Sequence, residues 1–143
     1  MSKLSKRITE FMIEHNINAP QLAKELGVDR TDINRFLREE RTPNYSCFIN
    51  MLYYFNCSAD YLLGLTDIHT EEPLHEVPPF GERLRKLLKE QKISQAQLIR
   101  ELPVSSAVPY KWLSGKNYPS IESLVRLAEY LDCSVDYLIG RVR

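Results

Sequence analysis

Apolar residues recur along this chain at helical spacing, in short runs separated by caps and turn signals. Leu4, Ile8, Phe11 and Met12 fall on one face of a first helix. Asn18 stands as the N-cap of a second helix, with Gln21 at the capping-box position and Leu22, Ala23 and Leu26 facing in. Gly27 makes the turn. Asp29 caps a third helix, whose inward residues are Ile33, Phe36 and Leu37. Pro43-Asn44 opens a fourth, with Phe48, Ile49, Leu52 and Phe55 as its stripe. Ser58 caps a last short helix through Leu63, which Gly64 ends.

The same pattern returns 76 residues later without a gap: Ile17 matches Ile93, Gln21-Leu22 matches Gln97-Leu98, and Glu25-Leu26 matches Glu101-Leu102. Val28 matches Val104, Leu37 matches Leu113, Pro43 matches Pro119, and CSADYLLG (from Cys57) matches CSVDYLIG (from Cys133). In this second copy Phe80, Leu84, Leu87 and Leu88 form the first stripe. Ser94 caps the second helix with Gln97 at the box position, and Leu98, Ile99 and Leu102 face in. That helix ends at Leu102-Pro103, because a residue before proline is pushed out of the helical region. Ser105 is expected to cap the third helix, with Val108, Trp112 and Leu113 inward and Gly115 as its stop. Ile121, Leu124, Leu127 and Leu131 form the last stripe. The expected fold is therefore all-α: two tandem five-helix domains, 1–66 and 80–143. They are joined by residues 67–79, DIHTEEPLHEVPP, a short, acidic, Pro-containing, semi-extended linker. Thirteen such residues at about 3.3 Å each reach roughly 43 Å, more than the roughly 34 Å between successive major grooves on one face of a duplex.

Composition narrows the function classes. The 143 residues carry 19 basic and 19 acidic side chains, so net charge argues for no partner. Residues 80–143 hold eleven Lys/Arg against seven Asp/Glu and are modestly basic. No segment approaches the roughly 18 apolar residues of a membrane span, and the start lacks the apolar region of a signal peptide, so a cytoplasmic location without a membrane partner is expected. Cys47, Cys57 and Cys133 are odd in number, widely spaced and without a nearby His, which favours reduced thiols over a zinc site. His15, His69 and His75 form no constellation. There is no Gly-rich phosphate loop, nucleophile elbow or H-E-x-x-H motif. No enzyme, cofactor or metal is expected.

One stretch carries more. Ser94-Gln95 and Leu98 are followed by Leu102-Pro103-Val104-Ser105, Trp112, Gly115-Lys116 and Pro119. Two short helices with a tight turn between them, in this pattern, resemble the helix-turn-helix of the lambda-repressor and Cro type, a large bacterial and phage regulator family. The two motifs span about 19–38 and 95–114. The resemblance implies that the third helix of each copy enters a major groove. By position it would present Arg30, Thr31, Asn34 and Arg35 to base edges in the first copy, and Ser106, Ala107, Tyr110 and Lys111 in the second. Arg pairs bidentately with guanine, Asn with adenine, and the Thr methyl touches the thymine methyl. Arg38 and Arg41 are placed for phosphates in the first copy, as are Gln95, Lys116 and Asn117 in the second. Asp32 either accepts from cytosine N4 or orients Arg35. Trp112, aligned with Phe36, is core rather than a base-stacking residue. Tyr61 and Tyr137 pack the fifth helices, and Tyr45, Tyr53, Tyr110 and Tyr118 are less constrained. Pro109 stands where the first copy has Ile33, at the fourth position of the expected helix. There a proline removes a donor and clashes with an earlier carbonyl.

The leading expectation is a sequence-specific, double-stranded-DNA-binding transcriptional regulator of the repressor kind. Its first copy reads bases, and its second gives backbone contacts or a second half-site. The alternative is a protein-interaction module, antitoxin-like or antirepressor-like, in which one or both copies have lost DNA binding. A homodimer and a protein partner both remain open.

Overall fold

The computed structural model describes residues 3–69 and 74–142. These form ten α-helices, and no strand occurs among the described residues. The chain divides into two compact units, Met1–Glu72 and Pro73–Arg143. Unit 1 holds α1 (Lys3–Glu14), α2 (Ala19–Leu26), α3 (Arg30–Leu37), α4 (Tyr45–Phe55) and α5 (Ala59–Leu62). Unit 2 holds α6 (Phe80–Glu90), α7 (Gln95–Glu101), α8 (Ala107–Ser114), α9 (Ile121–Tyr130) and α10 (Val135–Ile139).

The repeat in sequence is a repeat in backbone. Among the described residues, unit 1 bends through the left-handed region at Asn16, Gly27, Glu39, Asn56 and Gly64. Four of these recur 76 residues on, at Lys92, Gly115, Asp132 and Gly140. The exception is Gly27, whose counterpart is Pro103, a residue whose ring fixes φ near −65°. The caps follow the sequence closely. The side chains of Asn18, Asp29, Asn44, Ser58, Ser94, Ser120 and Ser134 each accept a bond from a backbone N–H in the first turn of their helix. Asn18 and Gln21 close the full box, with both bonds at 2.9 Å. Gln97 does not. Its amide turns forward to Glu101 at 3.0 Å, which leaves only the Ser94 half of that box.

Each core is built on the stripes read above, although Leu37, Ile99 and Val108, expected to face in, are only half-buried. Ile8, Leu22, Ile33, Phe48 and Leu52 are fully enclosed in unit 1, as are Leu84, Leu87, Leu98, Leu124 and Leu127 in unit 2. Tyr45 departs from expectation, since it opens α4 and is buried with that helix's inner face. Cys47 and Cys57 are buried, Cys133 is half-buried, and none of the three forms a disulfide.

One contact recurs that the stripes do not show. The Arg7 guanidinium lies over the Tyr61 ring at 4.0 Å, and Arg83, its counterpart, lies over Tyr137 at 4.7 Å. Each arginine thus ties the first helix of its unit to the last. Arg83 also donates two bonds to the Tyr137 carbonyl, at 3.1 and 2.7 Å. Arg7 instead reaches the chain leaving α5, bonding the Asp67 carboxylate at 3.0 Å, and His69 packs against Tyr61 and Phe11. Farther on, His75 and Arg141 pair through the His75 N–H and the Arg141 carbonyl at 2.8 Å. Asp67 and His69 thus pack on unit 1, and His75 packs on unit 2. Residues 70–73 lie outside the described residues.

Candidate nucleic-acid interface

In unit 1, α2 ends in a left-handed Gly27 at φ 69°, and the N–H groups of Gly27 and Val28 close onto the Lys24 and Ala23 carbonyls. The chain is then free to start α3 within three residues. Asp29 caps it, accepting from the Thr31 N–H at 3.4 Å and from the Thr31 hydroxyl at 3.3 Å. Ile33 and Phe36 are buried, and the opposite face follows from the helical period. Arg30, Thr31, Asn34 and Arg35 all lie on that exposed face.

The two arginines beyond α3 are exposed but not idle. Arg38 directs its Nε to the Asn34 carbonyl at 3.4 Å and lies 3.9 Å from Glu40. Arg41 donates to the Asp32 carboxylate at 3.1 Å. Asp32 thus pairs with Arg41 across the end of α3. Burial, and next the Asp32 charge, push the nearby Cys47 thiol up to about 11. Burial thus favours the protonated thiol at neutral pH.

Unit 2 reaches the same place differently. Leu102, before Pro103, is extended at φ −74° and ψ 130°, and the turn closes through a Val104 N–H to Leu102 carbonyl bond of 2.8 Å. Ser105 does not cap α8 with its side chain, contrary to expectation. It gives only its carbonyl, to the Val108 N–H at 3.0 Å, and the helix begins at Ala107. The backbone is already helical at Ser106, at φ −56° and ψ −29°, and the Ser105 carbonyl takes the Val108 N–H as the Asp29 carbonyl takes that of Asp32, at 3.0 Å in each unit. Pro109 has no N–H for the next bond, which Ile33 makes to the Asp29 carbonyl in unit 1 at 3.4 Å. Pro109 takes the buried place beside Trp112 and Leu113, while Val108 is only half-buried. Trp112 is core, at 2% exposure. Ser106, Ala107, Tyr110 and Lys111 are exposed, as are Gln95, Lys116 and Asn117.

The support beneath the two helices also differs. α3 packs chiefly against α2, whereas α8 packs chiefly against α6. Gly81 permits this. A Cβ there would stand 2.8 Å from the Trp112 carbonyl oxygen, a backbone atom that cannot step aside. Arg85, one turn on, donates to the Leu113 carbonyl. Unit 1 has Ser5 and Thr9 at these positions. The end of α7 is held from another side, because Glu101 accepts from the Tyr130 hydroxyl and from Gln97. These two bonds, Tyr130's first, keep the Glu101 carboxyl below its ordinary range. Burial and then Glu101 push the Tyr130 phenol up to about 12.

Among the described residues, no group of three or more His, Cys, Asp or Glu is placed to hold a metal ion. No helix among them is long and apolar enough to cross a membrane.

The Cro/C1-type HTH DNA-binding domain family matches residues 83–142. The HTH-type transcriptional activator BcrR of Enterococcus faecalis is 37% identical over 61 residues, 43% of this chain and 30% of that one. Repressor protein C2 of Salmonella phage P22 is 39% identical over 59 residues, 41% of this chain and 27% of that one. The uncharacterized HTH-type transcriptional regulator YvzC of Bacillus subtilis is 33% identical over 55 residues, 38% of this chain and 71% of that one. The match thus takes in less than a third of the first two relatives. No solved structure matches.

Proposed function

The chain belongs to the Cro/C1-type helix-turn-helix family of DNA-binding transcriptional regulators, and from that premise we propose that it reads duplex DNA through both of its units, unequally. Unit 1 serves as a second domain of the same kind, with α3 in a major groove. Arg30, Thr31, Asn34 and Arg35 meet base edges there, Arg38 lies toward a phosphate, and Arg41 lies near the backbone while paired with Asp32. Unit 2 adds Gln95, Lys116 and Asn117 as backbone contacts, with Ser106, Ala107, Tyr110 and Lys111 as a weaker reading face. The observation that carries this is the shared exposure of Arg30, Thr31, Asn34 and Arg35 on one face of α3, over a buried Ile33 and Phe36. Two linked modules raise each other's effective concentration on one duplex. Repression is the proposed sign, because occupancy of a promoter by a small protein blocks it. Gln95 to Asn117 lie within a cytoplasmic protein on this reading.

A specific observation favours a second reading for unit 2 alone. Its α8 face offers Ala107 and an exposed Tyr110, with Tyr118 exposed just beyond, where unit 1 has Thr31, Asn34 and Thr42. Exposed tyrosines suit a protein partner or a second copy of the chain. One experiment separates the readings: selection of bound sequences from random duplex DNA with the whole chain, followed by a salt titration of the selected site. The expected result is a defined site and an affinity that falls on a log–log plot with a slope near −0.9 per phosphate contacted. No enrichment, or a flat salt response, moves the conclusion to protein interaction.

A further inference from the structure

We infer that Asp32 is a positioning residue that holds Arg41 back from the DNA backbone, and so limits how tightly unit 1 grips DNA regardless of sequence. The inference rests on the reading of α3 as the groove-entering helix. Asp32 sits in the first turn of α3, between Thr31 and the buried Ile33, on the rim of the exposed face. Arg41 lies in the segment between α3 and α4, and its guanidinium donates to the Asp32 carboxylate at 3.1 Å. The Asp32 side chain is 30% exposed and that of Arg41 is 52% exposed, so a phosphate can approach the arginine while the carboxylate stays partly covered.

That asymmetry sets the direction of the effect. A phosphate taking Arg41 must either draw it away, leaving Asp32 half-buried without its partner, or accept a carboxylate as neighbour. Either course costs binding free energy on every sequence, because sequence-independent affinity is nearly all charge neutralisation. The device belongs to unit 1 only. The counterparts in unit 2 are Val108 and Asn117, neither of which carries a charge. The unit with more arginines for base edges is thus the one with a restrained backbone contact, an arrangement that limits binding at the wrong place.

The test compares the whole chain with Asp32→Asn, Arg41→Gln and the double variant, on a random-sequence duplex across a salt series. Asp32→Asn should bind about three- to tenfold more tightly at low salt, with a log–log slope steeper by about 0.9, one added phosphate contact. The double variant should lose that gain. Asp32→Val, which puts the residue found in unit 2 at this position, repeats the test if the Asn variant melts early. Unchanged or weaker binding by both Asp32 variants overturns the inference, since a corner-bracing pair would alter melting but not the salt slope. A double variant that keeps the full gain overturns it too, because the carboxylate then acts by its own charge and not through Arg41. Wild-type protein that binds no duplex at any salt removes the DNA reading itself, whereas wild-type binding with an unaltered Asp32→Asn slope removes only the role of Asp32.

Discussion

The third helix of unit 1 and its counterpart in unit 2 occupy aligned stretches, have the same length, and are set up by different means. α3 starts three residues after a left-handed Gly27, is capped by Asp29, and rests on α2. α8 follows an extended Leu102-Pro103, lacks a side-chain cap, starts one position later in register, and rests on α6. Two proline substitutions, at Gly27 and Ile33, therefore did not abolish the helix. Pro109 forgoes only the bond that Ile33 makes to the Asp29 carbonyl, and a first-helix glycine allows a new support. The comparison makes a sharp demand. Ile33→Pro places the ring four residues after Asp29, whose carbonyl accepts the Ile33 N–H at 3.4 Å. It should lose that bond, meet that carbonyl, and cost unit 1 about 3 kcal/mol or more in urea unfolding. Pro109→Ile should alter unit 2 by less than about 1 kcal/mol, because the proline already sits where it is tolerated. Equal costs in the two units would show that register has nothing to do with it.

The next test concerns what the two helices offer a duplex. Arg35→Ala should cost about 1–3 kcal/mol at the preferred site and relax the preference at one base pair. Lys111→Ala should cost less, weaken all sequences alike, and make the salt slope shallower by about 1. Both are read from competition binding with single-base variants of the selected site. An equal loss on every sequence for Arg35→Ala reduces it to a phosphate contact, and a larger loss for Lys111→Ala reverses the ranking of the units.

Much of this was legible in the residues, for a physical reason. Caps and stripes are local, and Asn18, Asp29, Asn44 and Ser58 declare themselves within three residues of their partners. The duplication made each weak signal count twice. What stayed hidden depends on chain that is distant in sequence. Arg7 and Tyr61 stand 54 residues apart, as do Arg83 and Tyr137, and only the equal offset in both copies could have suggested a contact. Ser105 was legible as a polar residue at a helix start, but Pro109 four residues on overrode it. The pairing of Asp32 with Arg41 was not legible, since nine residues of spacing across a helix end fit no period. The inward side of α3 followed from periodicity, whereas the residues offered to DNA came from the resemblance, and in α8 Pro109 rather than Val108 takes the buried place.

The smallest expected difference lies at the end of the second helix of each unit. Glu101 accepts from Tyr130 in unit 2, while the equivalent Tyr54 in unit 1 packs against His15 and Phe55. Tyr130→Phe should lower the unfolding midpoint at neutral pH by only about a degree or two, since the bond is open to solvent. Its pH dependence is more telling than its size. Glu101 is held below its ordinary value in the folded chain, chiefly by Tyr130. Its contribution is therefore complete above the ordinary glutamate pKa and is lost as pH falls through the lowered one. The gap between wild type and Tyr130→Phe should persist from neutral pH down to about 4.5 and close below it. Tyr54→Phe should show no such closing. A Tyr130→Phe gap that stays constant down to strongly acidic pH would mean the ring, not the hydroxyl on Glu101, is what ties α9 to α7.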